Sequence, residues 1–197
     1  MIRFIYHRYI KRVIDQLFLF KWILLGDRLF KHDYKTRILY IAFINGGGLK
    51  KHVTELINGM TPYDTWLLSE NNYILHNRNK FRTNLSVYEI IQKINPSIIH
   101  VHQLSKDLEE IDIIPWEKTI ITMHDFYYVC PYFFMTSCFG KFCHPSNCSE
   151  EWRKRMHDIL IKCKLIIVPS VAVRDIISIY YPDIVDKIKI IEHGIIC

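Results

Sequence analysis

The sequence has no run of about 18 or more uncharged apolar residues, so no segment is expected to cross a membrane as a helix. A secretory leader is not expected either. The apolar stretch near the start is broken by Asp15, Gln16 and Lys21, and no small-residue cleavage site follows it. There are no internal repeats and no low-complexity segments. The tight C-x2-C pairs that usually mark zinc sites do not occur. Neither G-x-G-x-x-G nor a G-K-[ST] phosphate loop is present, which weakens any dinucleotide or P-loop reading. Without an export signal the expected compartment is the cytoplasm, where thiols stay reduced. The six cysteines then suggest core packing or metal before disulfides.

At 197 residues, half of them hydrophobic and 14% aromatic, the chain has a globular composition. That length suits one ordinary domain, alone or with an appendage. The net charge of +6 is unevenly placed. Up to Arg37 there are nine Lys/Arg against three Asp, a balance of +6; the remainder balances at seventeen against seventeen. The body is neutral, and no nucleic-acid partner is expected.

Ile2 to Leu25 reads as a basic amphipathic helix stopped by Gly26. Ile2, Ile5, Tyr9, Val13, Leu17 and Leu24 recur at helical spacing, with Arg3, Arg8, Lys11 and Arg12 on the other side. Two readings stand side by side. Residues 2–25 can lie on an anionic membrane surface, which would place the protein peripherally at the inner face. Alternatively, the helix packs on the domain that follows. Residues 1–36 are therefore read as helix plus linker, and 37–197 as the main domain.

From Arg37 the pattern alternates β and α. Arg37–Phe43 is a short, continuous apolar run of the kind buried on both faces of a parallel sheet. Helices are expected over Leu49–Met60, Leu85–Ile94, Glu150–Lys162 (Ser149 as N-cap) and Val171–Tyr181, with a short one within His102–Ile111. Further strands are expected at Asp64–Leu68, Ser97–Val101, Thr119–Met123, Leu165–Val168 and Lys187–Ile191, and a short one at Tyr73–Leu75. The expected fold class is α/β, a doubly wound parallel sheet with ligands at the carboxyl ends of its strands.

Four groups of residues carry potential chemistry. Gly46, Gly47 and Gly48 follow the first strand and precede a helix, with Lys50, Lys51 and His52 in its first turn. Such a loop lets a ligand approach the backbone closely; it is equally a plain βα turn. His100 and His102 share one face of their strand, as two metal ligands or as a core histidine beside one at the strand mouth. His124 and Asp125 end the Thr119–Met123 run, where an imidazole can bind hydroxyls or move protons near neutral pH. Cys130, Cys138, Cys143 and Cys148 follow, with free thiols in an aromatic loop and a zinc site both open.

Taken together and in order, several stretches resemble the N-terminal half of a GT-B glycosyltransferase of the family 4 type. They are Gly46-Gly-Gly-Leu-Lys-Lys-His52, Ile99-His-Val-His102, Thr122-Met-His-Asp-Phe-Tyr-Tyr-Val-Cys-Pro131, Lys141-Phe-Cys-His-Pro145 and Val168-Pro-Ser170, with Lys189-Ile-Ile-Glu-His-Gly194 closing the series. The likeness is to bacterial polysaccharide-biosynthesis members. It implies a Rossmann-like domain and retaining transfer of a sugar from a nucleotide-sugar donor to a glycan or lipid-linked acceptor, with no cofactor and no essential metal. It implies active-site roles for His124 and Asp125, and substrate contacts from Gly46, Gly47, Gly48, His52 and His102. Family members also carry a second Rossmann-like domain with an E-x7-E motif. Glu109 and Glu117 match that spacing only by accident, since Pro115 lies between them and they precede a strand of the first domain. The expectation is a truncated product, or a chain completed by a second one. The alternative is a non-catalytic glycan- or partner-binding module with a Cys-rich, zinc-stabilised loop.

Overall fold

The computed structural model describes residues 36–43, 47–69, 73–76, 79–104, 111–131, 135 and 150–192. The expected N-terminal helix, its linker up to residue 35, Gly46, Ser149, and the cysteines at 138, 143 and 148 lie outside these residues. The chain forms two compact units. The first comprises Met1–Ile98 and Leu104–Ile114, the second Ile99–Gln103 and Pro115–Cys197. Both are α/β; pairing is parallel throughout the second, whereas the first joins one parallel pair to two antiparallel ones, and the pairing as a whole, mostly parallel, is compatible with a Rossmann-like fold. Among the described residues, no helix is long and apolar enough to cross a membrane.

In the first unit the strands run in the order β4-β3-β2-β1. Strand β1 (Arg37–Ala42) is buried from Ile38 onward, as its unbroken apolar run requires. It pairs in parallel with β2 (Asp64–Ser69), Arg37 opposite Asp64. Strands β3 (Tyr73–His76) and β4 (Asn79–Arg82) then add as an antiparallel extension. The sequence reading places only a short strand at Tyr73–Leu75 and has no counterpart to β4. Lys80, whose ammonium lies 4.1 Å from the centre of the Tyr73 ring, belongs to a polar segment with no apolar alternation to mark a strand.

Helix α1 (Gly47–Gly59) begins two residues earlier than the periodicity suggests, with Gly47 in the left-handed region at φ 75° where the chain enters it. Helix α2 (Val87–Ile94) is fixed at both ends by sequence. Ser86 and Glu89 form a reciprocal capping box, and Asn95 stops the helix in the left-handed region at φ 45°. Val87, Ile90, Ile91 and Ile94 are its buried face, each worth roughly 1.5–3 kcal/mol against exposure. The helix packs on β1. There the Arg37 guanidinium donates to the Ile94 carbonyl at 3.1 Å, a cation placed at a helix C-terminus. The Ser97 amide donates to the Arg37 carbonyl at 3.0 Å.

The second unit holds β5 (Ile98–Gln103, of which Ile98 belongs to the first unit), β6 (Thr119–Thr122), β7 (Leu165–Val168) and β8 (Ile188–Ile190), paired in parallel in that order. β5 runs two residues past the expected Val101. His102 is therefore a strand residue, and the short helix expected within His102–Ile111 falls on 105–110, outside the described residues. Helices α3 (Glu150–Lys162) and α4 (Val171–Tyr180) supply Met156, Ile159, Leu160 and Ile177 to the core. α4 starts at an N-cap in which Ser170 Oγ accepts from the Val173 amide at 3.3 Å. Lys187 donates to the carbonyls of Ile161 and Cys163 at the end of α3, serving its orphan acceptors.

Candidate functional site

Parallel pairing of β5 with β6 sets His100 opposite Ile120 and Val101 opposite Ile121, so both strands deliver their carboxyl ends to one place. His100 and His102 lie on one face as the period of two dictates, their ring centres 4.2 Å apart. His100 is the part-buried member, with Nε2 2.7 Å from Thr122 Oγ1 on β6. The hydrogen bond agrees with the reading of His100 as the bonded member, but His100 is part-buried and not a core residue. His102 is buried, and its Nδ1 lies 2.9 Å from Nε2 of His124, the second residue beyond β6. The two rings are 5.2 Å apart and tilted by 26°. Sequence motifs 22 residues apart thus meet as a pair of imidazoles.

Beyond Met123, whose amide still bonds the Ile167 carbonyl of β7 at 2.9 Å, the chain leaves the sheet. Asp125 Oδ1 accepts from the Tyr127 amide at 2.9 Å, closing a local turn. Phe126 O then takes the amides of Val129 and Cys130 at 2.9 and 2.8 Å. Burial pushes the Asp125 carboxyl above its ordinary value, only partly offset by the Tyr127 amide. Burial, with the Asp125 charge beside it, likewise lifts the Tyr127 hydroxyl to about 12. The Tyr128 hydroxyl, fully enclosed, is raised well above its usual value for the same leading reason.

The aromatic segment is not a loose loop. Tyr127, Tyr128, Val129 and Cys130 are all buried. Trp152 Nε1 on α3 donates to the Tyr127 carbonyl at 2.9 Å, and its ring meets that of Tyr127 edge-on at 4.9 Å. The Tyr181 hydroxyl, past the end of α4, donates to the Tyr128 carbonyl at 2.6 Å. Trp152 and Tyr181 thereby hold the turn that follows His124. Sequence reading misses both, because each looks like an ordinary apolar member of its helix. The only available signal is that Trp and Tyr bring a polar atom into the core, which needs a partner there. Cys130 is a buried free thiol.

The remaining expected site residues belong to the first unit. Gly47 and Gly48 are exposed at the start of α1, and a Cβ on either would meet nothing within 4 Å. Gly47 is required by its φ of 75°, whereas Gly48 has no such backbone requirement. His52 is partly exposed one turn further on. Lys51 pairs with Glu55 along the helix surface at 3.8 Å, an exposed contact of little energetic weight.

No protein-family model and no curated protein matches the sequence. The fold and the histidine pair define the class: an α/β protein, mostly parallel, presenting imidazoles and a carboxylate where a parallel strand opens into a turn.

Proposed function

We propose that this chain is the acceptor-side, Rossmann-like half of a retaining GT-B glycosyltransferase of the family 4 type, acting in bacterial polysaccharide biosynthesis. One observation carries most of the weight. His124 and Asp125 stand at the carboxyl end of a parallel strand, one imidazole backed by a buried second histidine and the other group's charge disfavoured by burial. Such a mouth suits hydroxyl recognition and the proton movements of glycosyl transfer. In this reading His124 and Asp125 are the active-site pair. Gly46, Gly47 and Gly48 face the donor's diphosphate and sugar, and His52 and His102 serve the acceptor. The doubly wound topology belongs to the same proposal. The donor is a nucleotide sugar and the acceptor a glycan or lipid-linked sugar. An E-x7-E-bearing donor domain completes the site, from further sequence or from a second chain. Residues 2–25 hold the protein peripherally at an anionic cytoplasmic membrane face.

The test is transfer of labelled sugar from a panel of nucleotide sugars to a membrane lipid extract. The 197-residue chain alone should give negligible product, and chain co-expressed with an E-x7-E donor domain should give turnover that His124→Ala abolishes. Efficient turnover by the isolated chain would refute the need for a second half. Acceptor binding that survives His124→Ala, with no turnover under any pairing, would instead favour a glycan-binding module.

A further inference from the structure

The contact between His102 Nδ1 and His124 Nε2, 2.9 Å apart, has a strict hydrogen count. A nitrogen–nitrogen hydrogen bond needs one N–H and one lone pair. Two hydrogens on the facing atoms would stand roughly 0.9 Å from each other at this separation. None would set two lone pairs against each other. One hydrogen therefore lies between the rings, and the protonation patterns of the two imidazoles are tied together.

His102 is the less adjustable partner. It is buried at 3% exposure, lies on β5, and has its ring against that of His100. His100 is in turn held by Thr122 on the neighbouring strand. His124 lies beyond the end of β6, outside the strand ladder. When His102 supplies the shared hydrogen, neutral His124 carries its own on Nδ1, which then donates. When His124 supplies it, Nδ1 is a bare acceptor.

We infer that His102 is a positioning residue that fixes which ring nitrogen of His124 carries hydrogen, and so whether His124 Nδ1 donates to or accepts from a bound hydroxyl. The coupling rests on geometry alone; its bearing on sugar transfer rests on the function proposed above. It departs from that reading in placing His102 behind His124, where it acts through the second ring and not on the acceptor.

Long-range proton–nitrogen correlation spectra of the full chain, labelled with 15N-histidine, test it without donor or acceptor. In the wild type the two ring nitrogens of His124 should be distinct, one protonated and one bare. His102→Phe keeps a ring in the stack and removes both nitrogens. It should shift the His124 signals toward those of a freely exchanging imidazole, and His102→Asn, whose amide reaches the same position, should restore their separation. Unchanged His124 signals in a folded His102→Phe protein would overturn the inference. Should that variant fail to fold, the His102 nitrogens are read in His124→Ala, where an unchanged spectrum overturns it equally. A coupled pair in a protein that transfers no sugar with any donor domain would keep the inference and sink the proposed function.

Discussion

Asp125 and Asp64 respond oppositely to their surroundings, and each makes a prediction. Burial raises the Asp125 carboxyl, so stability is lost as pH climbs from the unfolded value to the folded one, is lost in full above the folded value, and is unaffected below the unfolded one. Asp125→Asn keeps the acceptor for the Tyr127 amide. It should melt like the wild type near pH 3 and higher than it at neutral pH, measured by thermal denaturation across pH. Asp64 is also partly buried, which raises its carboxyl. The hydrogen bond from His76 at 2.8 Å, with the His76 and Arg37 charges, outweighs that and holds it below its usual value. Its stabilisation is present above the unfolded value of about 3.8 and is lost as pH falls through the lower folded value. The stability gap between wild type and Asp64→Asn should accordingly close below that range. The glycines separate backbone need from ligand approach. Gly47→Ala should cost on the order of 1–2 kcal/mol in denaturant titration, because an L-residue is strained at its φ. Gly48→Ala should be neutral or stabilising by up to about 1 kcal/mol. A loss of transfer activity in Gly48→Ala would therefore report a ligand at the backbone.

Elements differ in how openly the sequence announces them. Helix α2 is legible as an element, expected over Leu85–Ile94: Ile90, Ile91 and Ile94 mark its face and Asn95-Pro96 end it, but it starts at Val87, because Ser86 caps it together with Glu89. Ser86→Ala should cost about 1 kcal/mol by chemical denaturation, the ordinary worth of an N-cap. Strand β1 is equally plain, because burial on both faces demands an unbroken apolar run; β7 reads as such a run too, although only Ile166 and Val168 are fully buried in it. β4 is not, since an exposed edge strand carries no such demand and its register comes from β3. The histidine pair was half legible. Periodicity puts His100 and His102 on one face, and the apolar run ending at Met123 puts His124 at a strand mouth. Their approach to 2.9 Å depends on which strands are neighbours, and that is a tertiary fact. β5 also outlasts the expected Val101, because propensity marks poorly where a strand stops.

For the molecule as a whole, the expected α/β class agrees with both units; the expected parallel sheet agrees with the second, whereas β3 and β4 extend the first in antiparallel fashion. The basic segment 2–25 and the cysteines at 138, 143 and 148 lie outside the described residues, so their expected roles stand as experiments. Flotation of the full chain with anionic liposomes should succeed at low salt and fail at high salt, since the attraction is screened. Absence of flotation at low salt would remove the membrane role of this segment.

The carbonyls of Tyr127 and Tyr128, taken by Trp152 and Tyr181, have a consequence for cleavage. A protease must draw several residues of substrate into an extended form, and irregular surface segments usually allow it. Phe126, Tyr127 and Tyr128 are three consecutive aromatic residues suited to chymotrypsin, yet their backbone is bonded from two helices' worth of packing. Brief chymotrypsin digestion should spare these three bonds in the native protein. A Trp152→Phe, Tyr181→Phe double variant should be nicked there first, which would turn a pair of buried side-chain hydrogen bonds into a band on a gel.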